Sequence, residues 1–350
     1  MWRALAVTAL VTVAACGDDP AATAPAPVCK SVGAASGKVP LTDLLDRTYL
    51  GFTGGLYPGC ANELTGAHDS AGRARAREVQ PLDGNGNPSG VGRIALLSIG
   101  MSNTTQEFCS FNALQPCDAW TFMGQASADP AVNHTTLSLV NGARGGQSAD
   151  AWVNDTSFNF RLIHDLWLSP NGLTEKQVQV AWVKVANPNP TVSLPSANAD
   201  AYVLEQEMGT IVRVLKHHYP NLRQVFFSSR IYGGYGLGLN PEPEAYESGF
   251  AVKWLIEAQI RQMAADGAIQ DSRAGDLNLA TTPWLGWAAY LWANGTAPRS
   301  DGLVWTRGDI DTDGVHPSQS GEQKVGEMLL NFFKGSPYSK CWFLAAGGAC

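Results

Sequence analysis

An Asp and a His three residues apart, in Asp313-Gly-Val-His316-Pro317, can be held on one loop as a single proton-handling unit. Far upstream, Ile99-Gly100-Met101-Ser102-Asn103 sets a Ser directly after an apolar run. A Ser hydroxyl is a weak nucleophile until a base takes its proton, and an imidazole oriented by a carboxylate is such a base. If the two segments meet, Ser102 can attack an ester carbonyl. His316 then serves first as general base and next as general acid, while Asp313 holds the imidazole tautomer. Each segment also suits a plainer role. Ser102 could cap a helix, and the Asp313/His316 loop could be a polar approach to the last helix. Of the six His residues, His217 and His218 fall on a helical stretch that reads as surface. His68, His134 and His164 lack an acidic companion at useful spacing.

Acyl transfer also needs donors aimed at the oxygen that becomes negative. Asn141-Gly-Ala-Arg-Gly-Gly-Gln147 follows a second apolar run, and its glycines leave backbone N–H groups accessible. They serve a tight strand-to-helix turn equally well. In Lys184-Val-Ala-Asn187-Pro188, after a third run, the Asn187 amide could donate to the same oxyanion or simply form a turn before Pro. Asp309-Ile-Asp311-Thr-Asp313-Gly314 opens like an EF-hand calcium loop, whose twelfth position should be a bidentate Glu. Here that position is Ser320, Pro317 lies within the loop, and Glu322 arrives two residues late. No Cys/His cluster has zinc spacing, so the expected metal and cofactor complement is none.

The elements that must position these groups read as α/β. Arg93-Ile-Ala-Leu-Leu-Ser-Ile99 is a nearly continuous apolar run, the pattern of a parallel strand buried on both faces. Similar runs follow at 136–140, 178–185 and 224–228, and a weaker one at 277–280. Helical stretches cover 200–217, 242–265 and 319–333; in the first, Tyr202, Leu204, Met208, Ile211, Val212 and Leu215 recur near helical spacing. This alternation predicts an open parallel sheet with helices on both sides, where ligands bind at the carboxyl ends of strands. No internal repeat is present.

With 350 residues, 45% of them hydrophobic, the chain can bury a large core. A net charge of -7 with scattered Lys and Arg excludes the basic stripe that nucleic acid requires. Arg3 precedes an apolar run, residues 4–15, too short to span a bilayer and suited to a signal peptide, residues 1–15. Residues 16–37 are rich in Ala and Pro and read as a flexible linker. Residues 38–92, with Thr53-Gly-Gly-Leu56 and Asp83-Gly-Asn-Gly-Asn-Pro88, read as an irregular lead-in packed on a main domain spanning 93–340. Of seven cysteines, setting Cys16 aside leaves Cys29, Cys60, Cys109, Cys117, Cys341 and Cys350. In an exported chain six cysteines suggest three disulfides among fifteen formal pairings. Proximity favours Cys109–Cys117 and Cys341–Cys350, which closes a tail at 341–350 and leaves Cys29–Cys60.

The segment Val13-Ala14-Ala15-Cys16 resembles the lipobox of bacterial lipoproteins. That resemblance implies cleavage before Cys16, its acylation, and a membrane-anchored protein of the cell envelope. The four chemical blocks together resemble the SGNH (GDSL-like) hydrolase superfamily, whose blocks bring Ser, Gly, Asn and D-x-x-H in this order. The resemblance spans residues 93 to about 333 and implies a three-layer α/β/α sandwich around a flavodoxin-like, mainly five-stranded parallel sheet. By this likeness Ser102, Asp313 and His316 form a triad, with Gly146, Asn187 and the Ser102 N–H as oxyanion donors. Two blocks depart from the pattern: Gly100-Met-Ser102 replaces G-D-S, and Val185-Ala-Asn187-Pro188 replaces G-x-N-D. Ser102-Asn103 and Gly145-Gly-Gln-Ser-Ala-Asp-Ala-Trp152 look closer to the sialate O-acetylesterase-like branch, by which Lys184 takes the place of the amide donor.

Trp284, Trp287, Tyr290 and Trp292 precede the Asp313/His316 loop and could stack on a sugar face or pack in the core. The expectation is an exported, cofactor-independent serine esterase acting on an acyl ester, acetyl by the resemblance, carried by a carbohydrate or another small molecule. The alternative is a glycan-binding surface lipoprotein on the same scaffold that has lost catalysis.

Overall fold

The computed structural model describes residues 1, 28–110, 116–236 and 238–350. The signal peptide, the acylation site at Cys16 and the linker up to residue 27 lie outside the described residues. A small sheet comes first: β1 (Gly33–Ala34) pairs parallel with β2 (Arg47–Tyr49), which pairs antiparallel with β3 (Phe52–Thr53). A short helix α1 (Leu41–Leu44) follows β1 in the chain and buries both its leucines in the main core. Cys29 is bonded to Cys60, so residues 28–37 are tied into the fold rather than continuing as a free tether.

The main sheet has five parallel strands: β4 (Ile94–Gly100), β5 (Leu137–Val140), β6 (Val178–Lys184), β7 (Gln224–Phe227) and β8 (Trp284–Trp287). Their order is β5-β4-β6-β7-β8. The first strand lies between the second and third, the flavodoxin-like order. Every residue of β4 and β6 is buried, which is why both read as unbroken apolar runs.

Alternation along these strands builds two cores. Ala95, Leu97, Ile99, Ala181 and Val183 face α6 (Asp200–His218) and α7 (Glu244–Ala264). Ile94, Leu96, Val180 and Trp182 face the opposite layer of α2 (Gly66–Glu78), α4 (Phe122–Ala128), α8 (Gln319–Gly335) and α9 (Lys340–Phe343). Helices α3 (Ser102–Phe108) and α5 (Phe158–Ile163) follow β4 and β5. The result is a three-layer α/β/α sandwich. No helix of the described residues is long and apolar enough to cross a membrane.

Two expectations need correction. The weak fifth strand at 277–280 is a turn: the Asn278 side chain accepts from the Ala280 N–H, and its carbonyl accepts from Thr281 and Thr282. The strand is β8, which carries Trp284 and Trp287, two of the four aromatics that could stack on a sugar or pack in the core. Trp284, Trp287, Tyr290 and Trp292 are at most 4% exposed and belong to the core. The lead-in is also less irregular than expected, because α2 runs through it. That helix buries His68, Gly72 and Ala76, four residues apart, so its inner face is too small-sided to register as apolar. A Cβ on Gly72 would come within 2.5 Å of the Trp284 ring. The remaining disulfides join Cys109 to Cys117 and Cys341 to Cys350.

Candidate active site

At the carboxyl edge of the sheet, β4 ends at Gly100. A Cβ there would lie 2.2 Å from the Lys184 carbonyl oxygen and 2.4 Å from Thr104 Oγ1, so only glycine lets the ends of β4 and β6 close up. Thr104 Oγ1 donates to the same carbonyl at 2.6 Å and pins the first turn of α3 to β6. Ser102, the first residue of α3, is thereby placed at the mouth of the sheet. Met101 holds the cap position without a side-chain bond, so Ser102 does not spend its hydroxyl as a helix cap.

The second segment is shaped by its own local bonds. Residues Ile310 and Pro317 form a bridge, and the Asp311 N–H donates to the His316 carbonyl at 2.7 Å. The Arg307 guanidinium donates to the carbonyls of Ile310, Asp311 and Thr312 along the loop. Gly314 has φ +76°, and a Cβ there would meet the Tyr235 carbonyl oxygen at 2.4 Å. The D-G-V-H turn therefore needs its glycine both for conformation and for close approach.

These two segments meet. His316 Nε2 lies 2.8 Å from Ser102 Oγ, and His316 Nδ1 lies 2.5 Å from Asp313 Oδ2. The other Asp313 oxygen accepts the N–H groups of Val315 and His316 at 2.8 and 3.0 Å, which fixes the carboxylate's orientation. Burial acts to raise the Asp313 carboxyl, but the bonds from His316 and Val315 outweigh it and hold the group below its ordinary value. Asn103 Nδ2 donates to the Val315 carbonyl at 3.0 Å and clamps the two segments together, a contact between residues 212 apart that no local pattern signals.

Ser102 and His316 open into a cavity of about 410 Å³, also lined by Gly145, Gly146, Asn187 and Arg230. A Cβ on Gly145 would stand 3.8 Å from that of Ser102, and Gly146 has φ +75° with open space before it. Asn187 lines the cavity, but its Nδ2 already donates to the Asp200 carbonyl at 2.7 Å, leaving one amide hydrogen. Lys184 is elsewhere. Its side chain shares the face of Val180 and Trp182, and its Nζ sits 2.5 Å from both Glu107 oxygens, with both side chains wholly buried. Burial pushes the Glu107 carboxyl up and the Lys184 ammonium down to about 8, while their mutual attraction opposes both shifts. The assignment of Lys184 as an oxyanion donor is thus corrected: strand alternation turns it away from the cavity.

The calcium-like spacing is not realised as a ligand set. Asp309 accepts from Thr306 and Lys324, and Asp313 is engaged by His316. Among the described residues one group, Asp155, His217 and His218, brings three metal-capable side chains together. They already bond one another on the surface, with His217 Nδ1 2.6 Å from Asp155 Oδ1.

The class defined by this geometry is a three-layer α/β protein with Ser, His and Asp side chains in contact at the carboxyl edge of its sheet. No protein-family model matches the chain, and no curated protein does. Among solved structures it is similar to a carbohydrate esterase family 2 enzyme plus carbohydrate-binding domain from Corynascus thermopiles (Myceliophthora fergusii), with 10% identity over 69% of this chain and 66% of that one, at a TM-score of 0.37. It is similar also to a family two carbohydrate esterase from Cellvibrio japonicus, with 10% identity over 71% and 62%, at 0.35. A third likeness is to an extracellular lipase from Streptomyces rimosus, with 10% identity over 68% and 97%, at 0.31. The chain spans less than two thirds of the length of the two carbohydrate esterases.

Proposed function

We propose that this protein is an SGNH-type serine esterase that removes an acyl group, acetyl in the first instance, from a carbohydrate or related small alcohol. The observation that carries this reading is the continuous Ser102–His316–Asp313 chain of contacts at 2.8 and 2.5 Å, opening on a cavity. In the first half-reaction Ser102 Oγ attacks the ester carbonyl while its proton passes to His316 Nε2. The carbonyl oxygen, now negative, is met by the backbone N–H groups of Ser102 and Gly146, with the remaining Asn187 amide hydrogen as a third donor. As the intermediate collapses, His316 returns the proton to the departing alkoxide, leaving acyl-Ser102 and the free alcohol. Water then attacks the acyl carbon, giving its proton to His316, and the carboxylic acid leaves as Ser102 is reprotonated. Asp313 stays ionised and stabilises the imidazolium.

The residues give no reason to route any step through a cofactor. Export, and an envelope anchor at Cys16, are part of the same reading; the three disulfides among the described residues suit an oxidising compartment. The test is hydrolysis of 4-nitrophenyl acetate by a soluble form starting at Gly17. Ser102→Ala and His316→Ala should each lose at least about 10³-fold in kcat with melting little changed. A fluorophosphonate should label the parent at Ser102 and spare Ser102→Ala. A folded parent that neither turns over esters nor takes the label would instead support a binding protein on this scaffold.

A further inference from the structure

Arg230 follows β7 at the carboxyl edge of the sheet and lines the same cavity as Ser102. It is 2% exposed, and its Nε and Nη1 have no hydrogen-bond partner among the described residues. A buried guanidinium left in this state is costly, because three of its five N–H donors give up water without a replacement. The carboxylates that act on it from a distance are Glu107 and Glu242. Both have nearer partners. Glu107 is engaged by Lys184, and Glu242 accepts from Trp292 Nε1 and the Gly233 N–H, with Lys38 Nζ 3.9 Å from its second oxygen. Arg230 therefore faces the Ser102 cavity without a carboxylate of its own.

Resting on the esterase reading of that cavity, we infer that Arg230 is a substrate-binding residue whose ligand is a carboxylate borne by the ester. The planar fork of a guanidinium matches a carboxylate with two parallel N–H···O bonds, which a neutral hydroxyl cannot supply. The substrate class is thus an ester with a free carboxylate close to the scissile bond. That group sits either on the alcohol side, as in an acetylated sugar acid, or on the acyl side, as in a half-ester of a dicarboxylic acid. A carboxylate in the cavity would meet the guanidinium where Arg230 lines it and orient the ester carbonyl toward Ser102.

Two matched pairs of substrates test this in the parent. Monoacetylated methyl galactoside is set against monoacetylated methyl galacturonoside, and 4-nitrophenyl pentanoate against 4-nitrophenyl hydrogen glutarate. The carboxylate-bearing member of one pair should exceed its neutral partner in kcat/KM by roughly 10- to 100-fold. Which pair shows the preference tells which side of the ester carries the charge. In Arg230→Met that ratio should fall toward one, and Arg230→Lys should keep part of it. Equal rates within both pairs, a ratio that survives in Arg230→Met, or an equal fall for charged and neutral esters would each overturn the inference.

Calorimetric titration of the Ser102→Ala variant with galacturonate and with glutarate needs no catalysis. Binding that weakens in Ser102→Ala/Arg230→Lys and disappears in Ser102→Ala/Arg230→Met upholds the carboxylate site even if no ester is turned over, in which case the esterase reading alone fails. Absence of binding to Ser102→Ala, in a parent that hydrolyses neutral esters, removes the inference and leaves the esterase.

Discussion

Replacing Lys184 with Met separates a structural ion pair from an oxyanion donor. Lys184 Nζ contacts both oxygens of Glu107 at 2.5 Å, and neither side chain is exposed. Two unit charges at that separation attract by about 7 kcal/mol at an effective dielectric constant near 20. Part of this is spent on desolvating both ions, so the net worth of the pair is small. Removing one partner is different, since it strands the other charge, and costs about 3–5 kcal/mol. In urea unfolding the midpoint of Lys184→Met should therefore drop by on the order of 1 M. The loss should also grow with pH. An unpaired Glu107 would be held protonated, with a folded pKa above its unfolded value, and such a group loses stability as pH rises through the folded pKa. The variant should thus be hurt more at pH 8 than at pH 5. Adding Glu107→Gln should recover most of the stability and remove the pH slope. A true oxyanion donor would behave otherwise: its loss costs about 10²–10³ in kcat with little change in stability. At a temperature where Lys184→Met is folded, kcat on 4-nitrophenyl acetate should stay within about threefold of the parent. A folded variant with kcat down a hundredfold, or one as stable as the parent at pH 8, would refute this account.

Two further outcomes follow from named contacts. Gly314→Ala should drive a Cβ to 2.4 Å from the Tyr235 carbonyl oxygen at a residue with φ +76°, displacing Asp313 and His316. Its kcat should fall by roughly 10²-fold, with fluorophosphonate labelling slowed to match. Glu205 is 1% exposed with an unpartnered Oε1, and burial pushes its carboxyl up to about 8 from an ordinary 4.5. Because the folded state holds this proton more tightly, its contribution is complete below pH 4.5 and is lost as pH rises through about 8. Melting temperatures measured from pH 5 to pH 9 should therefore decline more steeply in the parent than in Glu205→Gln.

What the sequence disclosed and what it withheld divide along one physical line. Asp313 and His316 are close in the chain, and their turn is fixed by bonds from within the same loop and from the adjacent Arg307. That geometry is encoded locally, so the D-x-x-H spacing was enough to read it. The β4 and β6 runs were legible for a similar reason, since burial on both faces leaves a continuous apolar string. Lys184 could have been placed correctly by strand alternation alone, because it shares parity with Val180 and Trp182. Its partner could not, since Glu107 lies 77 residues away. Helix α2 escaped because its inner face is His68, Gly72 and Ala76, whose value lies in letting Trp284 approach. Arg230 is the extreme case. An Arg after a strand says nothing by itself, and its meaning comes from the partners that other parts of the chain do not offer it. Asp313 and His316 thus sit on a locally determined loop, whereas Ser102 is placed by the long-range bonds of Thr104 and Asn103, and the surroundings of Arg230 are set by charges from distant parts of the chain. On that division, substitutions around Arg230 should change which esters are accepted without disturbing the Ser102–His316 contact, which rests on Asn103, Gly100 and Gly314 instead.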